Sequence, residues 1–156
     1  MIPSLEWKSD YQLIEKNTFG VYDTLIGMVI SYKDGDGDIG LNVEDTFPPY
    51  DRMADSQGAI TNPYFYNLHV EYLEIKNGVL GPFILPNTTD TFKVQTRITS
   101  LTPDGVHKAI RGTIQYEFSP PLYPGIRGDS VILRVKLYDR ALHESNVIES
   151  PLLILK

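Results

Sequence analysis

The chain has 156 residues and a formal net charge of −6, from 14 Lys+Arg against 20 Asp+Glu. With 42% hydrophobic and 22% charged residues it has the balance of an ordinary globular domain. An acidic balance argues against a general nucleic-acid binder, which neutralises phosphates with a basic face. The absence of cysteine excludes disulfides, Cys-containing zinc sites, iron–sulfur clusters and thiol nucleophiles together.

The first residues, Met1-Ile2-Pro3-Ser4-Leu5-Glu6-Trp7, lack the basic start, apolar core and cleavage site of a signal peptide. The longest aliphatic stretch, Leu25 to Ile30, is far short of the ~20 residues of a membrane helix. Ten Tyr, six Phe and frequent Val, Ile and Thr, with 12 Gly and 11 Pro along the chain, compose an all-β domain.

In chain order, Asp10 to Glu15 reads as a short opening edge strand. Tyr22 to Tyr32 is apolar on both faces, as in a well-covered central strand. The segment around Asp51 to Gln57 reads as one helical turn. Tyr66 to Lys76 is a strand, and Asn77-Gly78 signals a hairpin into a weaker strand over Val79 to Leu85. In Phe92 to Thr99 the residues Phe92, Val94 and Ile98 share one face and Lys93, Gln95 and Arg97 the other. Ala109 to Phe118 alternates in the same way, with Ile110, Ile114, Tyr116 and Phe118 on one side. Val131 to Tyr138 and Val147 to Leu155 complete the set, with further turns at Pro103-Asp104-Gly105 and Pro120 to Gly128.

Seven or eight strands at this spacing predict a single immunoglobulin-like antiparallel β-sandwich over residues 1–156, with a closed barrel as the alternative. The stretch from Asn42 to Tyr64 has no strand pattern and carries Pro48, Pro49 and Pro63. Irregular loops of this length are often functional.

Chemistry is concentrated in Lys33-Asp34-Gly35-Asp36-Gly37-Asp38-Ile39-Gly40-Leu41. Carboxylates alternating with glycines can curl around one hard cation, and an all-oxygen donor set suits calcium better than zinc. Gly35 to Gly40 also matches G-x-G-x-x-G, but no helix can follow across Asn42 to Pro49, and Asp36 and Asp38 repel a pyrophosphate. As an EF-hand loop, Asp34, Asp36, Asp38 and Asp45 take positions one, three, five and twelve. Ile39 then replaces the required glycine, and the entering segment is a strand. A calcium loop without helices stays open, and so does a plain acidic β-turn.

If Tyr22 to Lys33 is the second strand and Val131 to Tyr138 the sixth, the Asp loop and the Asp139 to Asn146 loop meet at one end of a sandwich. The expected metal set is therefore Asp34, Asp36 and Asp38, completed by Asp139 and Asn146. His69 is expected on the solvent side of its strand.

No nucleophile elbow and no Ser–His arrangement is present, so the chain is not expected to be an enzyme. The loop aromatics Tyr50, Tyr64 and Phe65 offer the alternative of a carbohydrate-binding platform, although Tyr and Phe also fill sheet faces.

Ile30-Ser31-Tyr32-Lys33-Asp34-Gly35-Asp36-Gly37-Asp38-Ile39-Gly40-Leu41 resembles the hallmark of a group of uncharacterised secreted lipoproteins of Bacteroidetes bacteria. Thr102 to Gly105, Lys108 to Gly112, and Asp139-Arg140-Ala141 followed by Ser145-Asn146 are similar to theirs. The Asp-x-Ala-x-x-x-Ser-Asn ending also resembles the final hairpin of bacterial immunoglobulin-like adhesion modules. The resemblance implies an extracytoplasmic, lipid-anchored domain in the periplasm or at the cell surface. Its partner would be a cell-envelope protein or glycan, and it implies no assigned activity. The start of the chain departs from that family, lacking its signal peptide and lipid-bearing Cys.

Overall fold

In the computed structural model, residues 1–16, 18–102, 108–121 and 129–156 are described. The turn expected at Pro103 to Gly105, most of that at Pro120 to Gly128, and His107 and Tyr123 lie outside them. Among the described residues there are nine strands: β1 (Ser4–Lys16), β2 (Tyr22–Asp34), β3 (Leu68–Lys76), β4 (Val79–Pro82), β5 (Lys93–Thr96), β6 (Ile110–Phe118), β7 (Ser130–Leu137), β8 (Ile148–Glu149) and β9 (Leu153–Ile154).

All pairings are antiparallel. One sheet has the order β1-β2-β6 and the other β4-β3-β7-β8, with β5 also on β3 and β9 also on β7. The fold is an all-β sandwich, and the closed barrel does not form. Among the described residues there is no helix, and none long and apolar enough to cross a membrane.

Alternation decides which side chains meet between the sheets. From β2 come Ile26, Met28, Ile30 and Tyr32, and from β6 Ile114 and Phe118. From β3 come Leu68, Val70 and Tyr72, and from β7 Val131, Leu133, Val135 and Leu137. These residues form one buried cluster, which the period of two places on facing surfaces.

Three sequence expectations change. The opening strand is 13 residues long, pairing with β2 from Ser4↔Lys33 to Lys16↔Tyr22 through a bulge between Trp7 and Ser9. That bulge shifts the alternation, which hides the first half of the strand from a periodicity reading. The expected last strand, Val147 to Leu155, breaks into β8 and β9. Ser150 takes the Leu133 amide on its hydroxyl (2.9 Å) and gives its own amide to the Leu133 carbonyl (2.8 Å). Pro151 follows and has no N–H to continue the ladder. The Asp51 to Gln57 segment is a tight turn instead of a helical one. Asp55 Oδ1 accepts from the Gln57 and Ala59 amides, and Ala54 bridges Ile60.

Two asparagine side chains stand in for missing strand neighbours. Asn67, fully buried, exchanges two bonds with the Ile98 backbone, at 2.7 and 3.0 Å. Asn146 does the same with Leu5, accepting from its amide at 2.7 Å and donating to its carbonyl at 2.9 Å. The Asn146 side chain, expected in a metal shell, anchors β1 through both of these bonds. Replacing Asn146 by Ala leaves both Leu5 groups unpartnered and should cost about 1–3 kcal/mol in denaturant unfolding. A loss well under that range would show that water replaces the amide freely.

Candidate metal centre between the strand ends

Asp34 is the next inward position after Ile26, Met28, Ile30 and Tyr32 on β2. Asp139 stands in the same relation to Val131, Leu133, Val135 and Leu137 on β7. The same period of two that builds the core therefore carries one carboxylate from each sheet into the end of the sandwich. Both are buried, Asp34 at 3% and Asp139 at 2% exposure.

The Asp-Gly loop adds Asp38. Its amide donates to Asp34 Oδ2 at 2.9 Å, which closes the loop over the end of β2. Ile39 then plunges into the core, and the Leu41 amide bonds the Ile98 carbonyl at 2.9 Å. Two glycines make the curl feasible. Gly37 (φ +74°) and Gly40 (φ +120°) sit where a Cβ would lie 2.2 Å from the Lys108 carbonyl oxygen and 2.3 Å from Ser100 Cα.

The Asp loop and the Asp139 to Asn146 loop meet here. The Arg140 amide donates to the Asp38 carbonyl at 3.0 Å, and the Ala141 amide to Asp38 Oδ2 at 3.1 Å. One carboxylate oxygen from each of Asp34, Asp38 and Asp139 lies within 4.8 Å of the others. Two oxygens on opposite sides of one calcium ion stand about 4.8 Å apart, given bonds of about 2.4 Å.

Hydrogen bonding leaves part of this cluster unsatisfied. Asp139 is fully engaged by His143, through its amide at 2.8 Å and its Nδ1 at 2.9 Å. Oδ1 of Asp34, of Asp36 and of Asp38 are each closed off from solvent without a hydrogen-bond partner. Native proteins rarely leave buried polar atoms in that state, and an ion-binding role is one of the standard reasons when they do. The electrostatics agree with the geometry. Burial, then the Asp36 carboxylate beside it, raises the pKa of Asp34 above the usual carboxylate range. Burial and the charges of Asp139, Asp36 and Asp34 push Asp38 up to about 6.

Asp36 stands apart from the triad. It is half exposed, and its Oδ2 pairs with the Met1 ammonium, which holds its carboxyl below the usual value. Asp45 is not a twelfth-position ligand: it forms a two-pronged pair with Arg140, at 2.5 and 2.8 Å. No helix flanks the loop among the described residues, which excludes a helix–loop–helix hand.

Of the three loop aromatics, Tyr50 is buried and Tyr64 and Phe65 are half-buried. Tyr50 is 8% exposed, donates its hydroxyl to the Arg140 carbonyl and lies under the Arg140 guanidinium, 5.6 Å from its ring centre. Tyr64 is half-buried, edge-on against Tyr138 at 5.4 Å. Phe65 is half-buried too, stacked under the Arg97 guanidinium at 4.6 Å. His69 lies on the outer face of β3, opposite in facing to Leu68 and Val70, and is partly covered. Its ring is held by the Tyr66 carbonyl and Gln95, and burial lowers its pKa.

Arg97 was the residue that sequence reasoning missed. Its guanidinium donates to the carbonyls of Phe65 (2.7 Å), Asn42 (3.1 Å), Asp45 (2.6 Å) and Tyr50 (3.2 Å), pinning both ends of the 42–64 loop. Comparison of the chain with models of protein families, with curated proteins and with solved structures finds no match in any of the three.

Proposed function

We propose that this chain is a non-catalytic immunoglobulin-like module outside the cytoplasm, whose Asp34–Asp38–Asp139 end binds calcium and stiffens the adjoining loops for a partner. The observation that carries this reading is Asp34 Oδ1, buried without a partner among two further carboxylates. Oxygen donors of this kind suit a hard cation, and bringing one in replaces mutual repulsion by attraction. Asp36, with its own unpartnered oxygen and its carboxylate beside Asp34, is a further candidate donor.

The immunoglobulin-like assignment is supported by the strand order. The first, second and sixth strands form one sheet, and the third and seventh anchor the other. Placement in the cell envelope, with a lipid anchor and a protein or glycan partner, is supported by the resemblance of the Asp-Gly and Asp139 to Asn146 segments to Bacteroidetes lipoproteins. A module that holds rather than transforms a ligand is supported by the burial of Asp34 and Asp139.

The test is thermal unfolding in EDTA, then in millimolar calcium or magnesium, since extracellular modules bind calcium at about 10⁻⁴–10⁻³ M. Calcium should raise the midpoint and magnesium, which demands a smaller and more regular shell, should raise it less. No calcium shift would reduce the loop to an acidic turn.

A further inference from the structure

We propose that the cation at Asp34, Asp38 and Asp139 also sets the order of residues 42–50, the first part of the 42–64 loop, through Arg140 and Asp45, so that this segment is the calcium-dependent part of the surface. The inference rests on the calcium reading above and adds what the site controls.

The connection is continuous and short. Asp38 is the one member of the triad that belongs to the Asp-Gly loop, and both of its acceptor groups hold the 140–141 backbone. Arg140 then faces away from the triad toward the long loop. Its guanidinium takes both Asp45 oxygens, with a further bond to the Gly40 carbonyl at 3.4 Å. Its carbonyl accepts the Tyr50 hydroxyl, and its guanidinium covers the Tyr50 ring. Asp45 in turn accepts from the Asn42 amide at 2.7 Å, so the first turn of the long loop closes on the same carboxylate.

Without a cation, the cheapest relief of the crowded carboxylates is for Asp38 to move outward. Asp34 ends β2 and Asp139 lies just past the end of β7, and both are almost fully buried, which leaves them less room to move than the partly exposed Asp38. Outward movement of Asp38 breaks its bonds to the Arg140 and Ala141 amides and loosens the residue that holds Asp45 and Tyr50. A bound cation closes that route. The ligand thus favours the state in which the loop is docked, which is the differential interaction a coupling requires. Arg97 also holds the carbonyls of Asn42, Asp45 and Tyr50, independently of the triad, so the segment 42–50 stays attached and the fold intact; what the cation changes is how tightly the Asp45 and Tyr50 side chains are docked on Arg140.

The experiment is amide hydrogen exchange on the full chain in EDTA and in saturating calcium, read for segments 34–41 and 42–50. Calcium should slow exchange in both by about tenfold or more. In Arg140→Ala, and separately in the milder Asp45→Asn, calcium should still slow 34–41 while its effect on 42–50 is lost. Slowing of 34–41 alone in the unsubstituted protein would overturn the coupling and leave the calcium site standing. Slowing of 42–50 that persists in both variants would overturn Arg140 as the route. No slowing in either segment would remove the calcium reading, and this inference with it.

Discussion

Arg97→Ala should destabilise the domain by about 3–5 kcal/mol in urea unfolding, among the largest losses available to a single side chain outside the core. Four carbonyls, from Phe65, Asn42, Asp45 and Tyr50, converge on one guanidinium, which also lies over the Phe65 ring. Bonds to a charged donor contribute about 1.5–3 kcal/mol each in favourable cases, and buried acceptors left behind keep their desolvation cost. Water reaching the half-buried site recovers part of that, so the four bonds do not add in full. Arg97→Lys should recover only a fraction, because an ammonium cannot present the planar fork that serves carbonyls in different directions. A loss below about 1 kcal/mol for the Ala variant would mean that the 42–64 loop is held by other contacts.

Asp34→Asn should act with opposite signs in EDTA and in calcium. Without metal it replaces a buried, unpaired carboxylate with an amide whose oxygen can still accept from the Asp38 amide and whose NH2 can donate to neighbouring carboxylates. We expect the metal-free variant to be more stable than the parent, by about 1–2 kcal/mol. In calcium the order should reverse. A cation bound only by the folded state adds about 2.7 kcal/mol at a hundredfold excess over its dissociation constant, and the variant forgoes most of it. For a chain of this size the parent's own calcium shift is about 5–10 °C in midpoint, and its net advantage over the variant in calcium is about 1–2 kcal/mol. A variant less stable than the parent in EDTA would show that the Asp34 charge is satisfied in the metal-free protein.

The pH dependence follows from the same repulsion. Folding raises the pKa of Asp38 to about 6, above its ordinary 3.8, so the folded state binds the proton more tightly than the unfolded one. Its contribution to stability is fully present below the ordinary value and is lost as pH rises through about 6. In EDTA the stability difference between parent and Asp38→Asn should therefore move in the parent's favour as pH falls from 7 to 4.5. Comparing the two cancels groups of opposite sign, such as His69 and Asp45, whose pKa values are lowered. In calcium the trend should reverse, since the ion needs the deprotonated carboxylate. A difference that does not vary with pH would contradict the raised pKa.

The sandwich was legible because its central strands alternate cleanly. Val94 is buried between exposed Lys93 and Gln95, and Ile114 and Phe118 alternate with exposed Thr113, Gln115 and Glu117, as their spacing requires. The meeting of the two acidic loops was also legible, since it follows from strand order. The depth of Asp34 and Asp139 was legible in principle. Both continue the inward parity of their strands, a signal that spacing within the Asp-Gly motif alone does not contain. Arg97 was hidden for the opposite reason. Its parity places it on the solvent side of its strand, and only the long loop folding back over that side converts it into a clamp. The burial of Tyr50 was hidden in the same way, because a loop reads as exposed until something shows where it packs. The roles of Asn146 and Ser150 depend on one side chain replacing a backbone partner, which carries no periodic signature.

The most direct test of a cation between the two sheets is calorimetric titration of calcium into metal-stripped protein, alongside the folded Asp34→Asn variant. One calcium per chain, with binding lost or weakened at least about a hundredfold in the variant, is the expected result. No binding at millimolar calcium, or equal binding by parent and variant, would contradict a metal centre built on Asp34, Asp38 and Asp139.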